Sequence, residues 1–261
     1  MKLSISNIAW DKANDQEMYF YLNKLGIDAI EIAPTRIFPN DPYDKLIEAN
    51  NFYKWLYKEY RLYISSMQSI WYGHNELLFG TEEERRVLIN YTKKAIDFAK
   101  CINCKNIVFG SPKNRIRKGK NINIAINFLE EIGDYAEKSD VVFAIEANPI
   151  IYNTDFINTT EEALTLAKIV NSKGVRVNLD IGTMIYNKEE LKILSENIYL
   201  INHVHISEPY LEVIKRRDTH YFLKQILKSE GYNKYISLEV KKVKNIEILF
   251  KNLNYIMEVF K

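Results

Sequence analysis

Short runs rich in β-branched and other apolar residues alternate along the chain with longer segments in which apolar residues recur at helical spacing. Runs of the first kind predict strands, and the 3.6-residue period predicts amphipathic helices. The predicted strands span residues 3–8, 29–33, 62–67, 106–110, 141–146, 175–180, 201–205 and 235–240. The predicted helices span residues 15–25, 44–60, 82–100, 122–138, 160–171, 188–195, 219–229 and 246–260.

Eight strand–helix units in succession predict a parallel sheet covered by helices, and eight such units can close into a barrel. The competing architecture is an open, doubly wound sheet, which usually carries a glycine-rich phosphate-binding turn after its first strand. Residues 7–10, around the end of the first predicted strand, contain no glycine. No linker or low-complexity tract divides the sequence. The pattern therefore favours an α/β protein with one (β/α)₈ TIM barrel domain over residues 1–261.

Composition and charge narrow the function classes. The chain has 261 residues and a net charge of +2, which provides no extended field for nucleic acid or a membrane surface. No apolar stretch approaches the roughly 18 residues of a membrane span, and the N-terminal apolar run is too short for a signal peptide. We therefore expect a cytoplasmic protein with a small-molecule substrate, and the 18 tyrosines leave room for a homo-oligomer.

Four consecutive predicted strands end in a residue that can bind a metal. These residues, in chain order, are Glu146, Asp180, His205 and Glu239. Side chains alternate along a strand, so their apolar neighbours face the helices and these four point into the barrel at its C-terminal rim, where TIM barrels carry their chemistry. Three converging carboxylates repel each other unless a cation neutralises them. The set suits one divalent metal ion: Mn²⁺, Mg²⁺, Co²⁺ or Zn²⁺.

A single acidic residue at a strand end is more often a helix cap or a loop ion pair than a ligand, but four in phase on consecutive strands favour a shared ion. His203 has the same inward parity and lies about 6.6 Å deeper at the usual strand rise. We expect it to be a buried, hydrogen-bonded histidine.

Other polar and aromatic residues beside the same rim are candidates for substrate contact. Amides can bond hydroxyl groups, aromatic faces can cover a sugar ring, and the basic loop after strand four can bind a phosphate or a carboxylate. The candidates are Gln68, Asn148, Trp10, Tyr72, His74, Lys113 and Arg115. Loop capping, core packing and simple solvation are the alternatives for the amides, the aromatics and the basic loop respectively.

Around these strand ends the sequence resembles the xylose-isomerase-like TIM barrel superfamily, in its sugar phosphate isomerase/epimerase branch. The strongest stretches include residues 108–115, 145–149, 179–184, 203–209 and 237–240. The resemblance implies that the metal ligands are Glu146, Asp180, His205 and Glu239. It also implies that Glu146 and Glu239 are the catalytic acid/base pair, which moves a proton through an enediolate of a sugar or sugar phosphate.

Two positions depart from the ketose 3-epimerases of that superfamily. A histidine that often follows the strand-six aspartate is Thr183 here, and an arginine expected after the strand-seven histidine is Leu211. Both departures concern the substrate and leave the four ligands intact. The same residues also fit a dehydratase of an inositol-type ketone. A non-catalytic sugar-binding barrel and an AP endonuclease are further alternatives, although the endonucleases use several histidines and three metals and this chain has four histidines in all.

Overall fold

The computed structural model describes all 261 residues as eight parallel strands, each followed by at least one helix. The strands are β1 (Lys2–Ile5), β2 (Ala29–Ile32), β3 (Tyr63–Met67), β4 (Asn106–Phe109), β5 (Val142–Glu146), β6 (Val175–Asp180), β7 (Ile201–Ile206) and β8 (Tyr235–Leu238). The helices are α1 (Asp15–Leu25), α2 (Pro34–Ile37), α3 (Leu46–Tyr60), α4 (Glu82–Cys101), α5 (Asn123–Lys138), α6 (Thr160–Val170), α7 (Ile181–Asn187), α8 (Asp218–Ser229) and α9 (Glu247–Phe260).

The sheet closes on itself. Strands pair in chain order from β2 to β8, β8 pairs with β1, and a parallel bridge between Ser6 and Glu31 joins the end of β1 to β2. All eight predicted strands are present, and the predicted single-domain TIM barrel is confirmed. No helix has the length and apolar character needed to cross a membrane.

One predicted helix is wrong. The helix over residues 188–195 is replaced by α7, which begins directly after β6, and only a 3₁₀ turn forms at Leu191–Leu194. The cause is local, because the side chain of Asp180 accepts a hydrogen bond from Thr183 N at 2.6 Å and so caps the new helix start. Lys188, in the left-handed conformation, ends it.

The strands sort apolar and polar residues onto opposite faces. Ile145, Leu179, Val204 and Leu238 belong to the hydrophobic core. The lumen instead holds bonded polar pairs: Ser4 Oγ lies 2.7 Å from Ser65 Oγ, and His203 Nε2 lies 2.8 Å from Ser237 Oγ. His203 is therefore the buried, hydrogen-bonded histidine that the sequence predicts. As a result, the polar side chains at the strand ends point towards the C-terminal rim of the barrel.

His220 on α8 is a buried group whose protonation the fold opposes. Burial lowers its pKa to about 4, and its Nδ1 lies 3.0 Å from the Tyr255 hydroxyl. An unfolded chain takes up this proton near its ordinary pKa of about 6.5. The contribution of neutral His220 to stability is therefore complete above pH 6.5 and is lost as the pH falls towards 4.

We predict that His220→Gln makes the free energy of unfolding less sensitive to acid. Between pH 7 and pH 5 the wild-type protein should lose about 2 kcal/mol more than the variant, because the variant has no histidine to protonate. Denaturant titrations of both proteins at the two pH values, in the presence of a chelator, measure this difference. Parallel losses in the two proteins would contradict the assignment.

Candidate metal centre

The four strand-end residues converge on one point. Ligand atoms of Glu146, Asp180, His205 and Glu239 all lie within 4.8 Å of one another. The strand register explains this, because Asp180 pairs directly with His205 across β6 and β7, and Glu239 N continues the β7–β8 ladder by bonding Ile206 O at 2.9 Å. All four side chains belong to residues less than one-tenth exposed.

One nitrogen in this cluster has no hydrogen-bond partner. His205 Nδ1 lies 2.9 Å from Glu146 Oε1 and 3.2 Å from Glu239 Oε2, but neither contact has hydrogen-bond geometry. A buried nitrogen without a partner is rare and costly. Its position between two carboxylates makes it a candidate metal ligand. The other ring nitrogen, Nε2, already has a partner in Glu31 Oε2.

The charges of the cluster are unbalanced. Burial, with Glu146 and Glu239 nearby, raises the pKa of Asp180 to about 7, and burial also raises the pKa of Glu239. Burial alone would lower the pKa of His205, but Glu31 and Glu239 raise it well above its usual value. The cluster therefore retains protons near neutral pH to offset its carboxylates. A divalent cation offsets the same charge, so this donor set fits a metal ion.

Neighbouring groups hold the ligands in place. Glu146 accepts hydrogen bonds from Asn178 Nδ2 at 2.7 Å and Asn148 Nδ2 at 3.3 Å. Asp180 accepts from the Ser207 hydroxyl in addition to its bond with the α7 backbone. Gly110 lies so close that a Cβ atom there would be 2.9 Å from Glu146 Oε2. A side chain at position 110 would therefore displace this ligand.

Glu31 is a residue of this centre that the sequence reasoning missed. It lies on β2, is fully buried, and its Oε2 atom is 2.9 Å from His205 Nε2. Burial alone would raise its pKa, but the two lumen histidines, His205 above all, lower the pKa to about 2. The available signal was a charged residue between Ile30 and Ile32 in a predicted buried strand, where charge is rare without a partner.

A cavity of about 380 Å³ opens above the cluster. Of the predicted site residues, those that line it are Gln68, Tyr72, Lys113, Glu146, Asn148, Asp180 and Glu239. Tyr152 also lines it; its hydroxyl accepts from Tyr210 N at 3.0 Å, which leaves the hydroxyl proton for another acceptor. Lys113 is the only basic residue in the wall.

Three predicted substrate residues do not line this cavity. Trp10 is buried and its indole N–H bonds Asp15 at 2.8 Å, while His74 lies against Tyr91 and bonds Glu76 at 2.9 Å.

Arg115 was predicted to contact an anionic substrate, but its guanidinium is fully buried and donates to Glu146 O at 2.8 Å and to Phe109 O at 3.3 Å. Burial lowers its pKa to about 10. Arg115 therefore supports the backbone behind Glu146, because the β4–α5 loop folds this side chain inwards, which a sequence pattern does not reveal.

The two positions at which the sequence departs from the ketose 3-epimerases, Thr183 and Leu211, have different surroundings. Thr183 is buried and its hydroxyl donates to Ala147 O at 2.9 Å, so it is a structural residue. Leu211 lines the cavity. It and Tyr210 are both in the left-handed conformation, with φ of 52° and 63°, which is strained for residues with side chains. The cavity is therefore apolar where an arginine was expected.

Comparison with solved structures places this barrel beside several sugar enzymes. It superposes on D-psicose 3-epimerase from Clostridium cellulolyticum, solved with D-tagatose, with a TM-score of 0.80, 18% identity and full coverage of both chains. The match to 3-keto-D-glucoside 4-epimerase from E. coli has a TM-score of 0.76, 19% identity and 99% coverage of each chain. The IolI protein with a bound zinc atom matches with a TM-score of 0.74, 18% identity and full coverage.

At these identities the structural matches establish the fold alone. No functionally curated protein matches the sequence significantly. The family model described as "Xylose isomerase-like TIM barrel" matches residues 21–258, which is most of the chain. The chain therefore belongs to the xylose isomerase-like TIM barrel family.

Proposed function

We propose that this protein is a divalent-metal-dependent sugar isomerase or epimerase in which Glu146 and Glu239 transfer the proton. The observation that carries the proposal is the convergence of three carboxylates and one unpartnered imidazole nitrogen at the floor of the cavity. Epimerases of D-psicose and of a 3-keto-glucoside among the structural matches support the same reaction class.

The residues that would hold the ion are Glu146, Asp180, His205 through Nδ1, and Glu239. When bound, Mn²⁺, Mg²⁺, Co²⁺ or Zn²⁺ would supply a Lewis acid that stabilises negative charge developing on a substrate oxygen. The zinc atom bound by the structurally similar IolI protein supports a metal in this chain.

Glu146 and Glu239 are the groups able to move a proton. They end β5 and follow β8, with the ends of β6 and β7 between them, so they border the cavity from two sides. One carboxylate removes a proton from the carbon next to the substrate carbonyl, and the other returns a proton. Return to the opposite face of the same carbon is epimerisation. Return to the former carbonyl carbon, with a hydroxyl proton passing between the two neighbouring oxygens, is isomerisation.

The walls of the cavity favour an unphosphorylated sugar. Neutral polar groups such as Asn148 and Tyr152 and apolar groups such as Trp71 and Leu211 form most of the lining, and Lys113 is exposed. Phosphate sites usually combine several N–H donors or arginines. With Arg115 buried elsewhere, a single exposed lysine provides little for a phosphate group. A cytoplasmic location, the absence of a nucleic-acid partner and homo-oligomerisation remain predictions.

We predict that the metal-free protein binds one Mn²⁺ ion per chain. Asp180→Asn and His205→Gln should each weaken binding by at least about tenfold, because the first removes the negative charge of one proposed ligand and the second removes the imidazole. Isothermal titration with MnCl₂ after removal of metals by a chelator measures the affinity. Glu76→Gln, which alters a rim carboxylate outside the cluster, is the control and should bind as the wild type does. Equal affinities for Asp180→Asn and the wild type would contradict the site.

We predict that Glu239→Gln lowers turnover by roughly 10²-fold or more while the fold is retained, since a glutamine cannot transfer the proton. Proton NMR in D₂O with a panel of free ketoses measures both turnover and deuterium entry beside the carbonyl, and circular dichroism checks the fold. A product lighter by one water would indicate a dehydratase. Unchanged function in Glu239→Gln would favour a non-catalytic sugar-binding barrel.

Lys113→Ala tests the substrate's charge. For a free ketose we expect kcat/KM to fall less than about fivefold, because an exposed lysine contributes at most about 1 kcal/mol. Parallel assays with free and phosphorylated ketoses on both proteins measure the effect. A strong wild-type preference for the phosphorylated sugar that Lys113→Ala abolishes would contradict a neutral substrate.

A further inference from the structure

Beneath the proposed metal centre, a single buried carboxylate is linked to two of the four ligands. Glu31 does not reach the cavity, so it cannot touch a substrate there. We propose that Glu31 is a positioning residue, which orients His205 directly and Glu239 through Gln68. This inference rests on the proposed metal centre and adds a group that prepares it for the ion.

The link to His205 decides which ring nitrogen faces the ion. A carboxylate only accepts hydrogen bonds, so Glu31 Oε2, 2.9 Å from Nε2, requires the hydrogen of the ring on Nε2. In a neutral imidazole the other nitrogen then carries the lone pair. That nitrogen, Nδ1, is the one that lies between Glu146 and Glu239 without a hydrogen-bond partner. Glu31 therefore sets both the rotation and the tautomer that a metal requires.

The link to Glu239 passes through an amide. Gln68 Nε2 lies 3.1 Å from Glu31 Oε1 and 2.7 Å from Glu239 Oε1, and it is also 2.8 Å from Ser6 Oγ. The carbonyl oxygen of the same amide accepts from Ser69 Oγ at 3.1 Å. Gln68 was predicted to bind substrate, but its amide is already engaged by protein groups. It holds Glu239 by one oxygen and leaves Oε2 facing His205.

The buried contacts of Glu31 are directed at two of the proposed metal ligands. No lysine or arginine pairs with it; its charged or polar neighbours are His205, His203 at 3.8 Å, Gln68 and Ser66. A buried carboxylate is costly unless it is paired and hydrogen-bonded, and the groups that pair with Glu31 are the lumen histidines. The favourable contacts of Glu31 are with His205 and with the amide that holds Glu239.

The test is the affinity of metal-free protein for Mn²⁺, measured by isothermal titration together with thermal unfolding of the metal-free state. In Glu31→Gln one carboxylate oxygen is replaced by an amide NH₂ group, which only donates. The remaining oxygen cannot accept hydrogen bonds from both His205 and Gln68. We expect Kd to rise about 10- to 100-fold, the range found for groups that orient metal ligands. The melting temperature of the metal-free variant should fall, because Glu31→Gln leaves the buried His205 without its carboxylate partner, so Kd is compared at a temperature at which the variant is folded.

Glu208→Gln is the matched control. Glu208 is also a buried carboxylate, but Arg217 Nε holds it at 2.7 Å and it makes no hydrogen bond to the four ligands. Its Kd should remain within about twofold of the wild type, since the binding constants of unlinked sites change little. Gln68→Met, which keeps the volume but removes the amide's bridge between Glu31 and Glu239 and its bonds to Ser6 and Ser69, should give a smaller rise in Kd than Glu31→Gln. If Glu31→Gln does not fold, Gln68→Met still tests the link between Glu31 and Glu239.

The outcomes separate this inference from the proposed function. Wild-type affinity in both Glu31→Gln and Gln68→Met, or a lower melting temperature with unchanged Kd in the folded variants, would overturn the positioning role and leave the metal centre standing. Failure of the wild-type chain to bind Mn²⁺ would overturn the metal centre and the inference with it.

Discussion

The mutual repulsion of three carboxylates at one buried point is the constraint on which the rest of the site depends. Glu146, Asp180 and Glu239 are brought together by adjacent strand ends, and the backbone of a closed barrel cannot separate them. In water such charges would be screened, but at the bottom of a cavity they need a counterion. His205 provides positive charge when protonated, and a divalent cation provides more.

The groups that contact the cluster fix the positions of its charged side chains. Asn178 and Asn148 hold Glu146, Ser207 holds Asp180, and Glu31 fixes His205. These partners are neutral donors or a carboxylate facing a histidine, so none of them neutralises the cluster as an arginine or lysine would. The protein therefore orients the four side chains without pairing their carboxylates with a lysine or an arginine.

The strand ends were predictable because two simple rules act on them. Side-chain alternation assigns Glu146 and Asp180 to the lumen, and parallel strands of a barrel end at one rim. Tertiary packing decided the rest. The helix predicted over residues 188–195 failed because Asp180, a candidate ligand, also caps a helix that begins at once after β6. Glu31 was missed because its strand carries no other sign of chemistry, and Arg115 folds back onto carbonyl groups.

The cavity wall is less regular than the cluster of four residues at its floor. Thr183 is buried against a carbonyl oxygen, and Leu211 lines the cavity from a strained turn, so neither position presents the polar side chain expected from the resemblance to ketose 3-epimerases. An anomalous difference map from crystals soaked in Mn²⁺ measures directly whether these four side chains share one ion. We expect one peak about 2.1 Å from oxygens of Glu146, Asp180 and Glu239 and from His205 Nδ1. A map without a peak among these four side chains, or with the ion at His205 Nε2, would contradict this expectation.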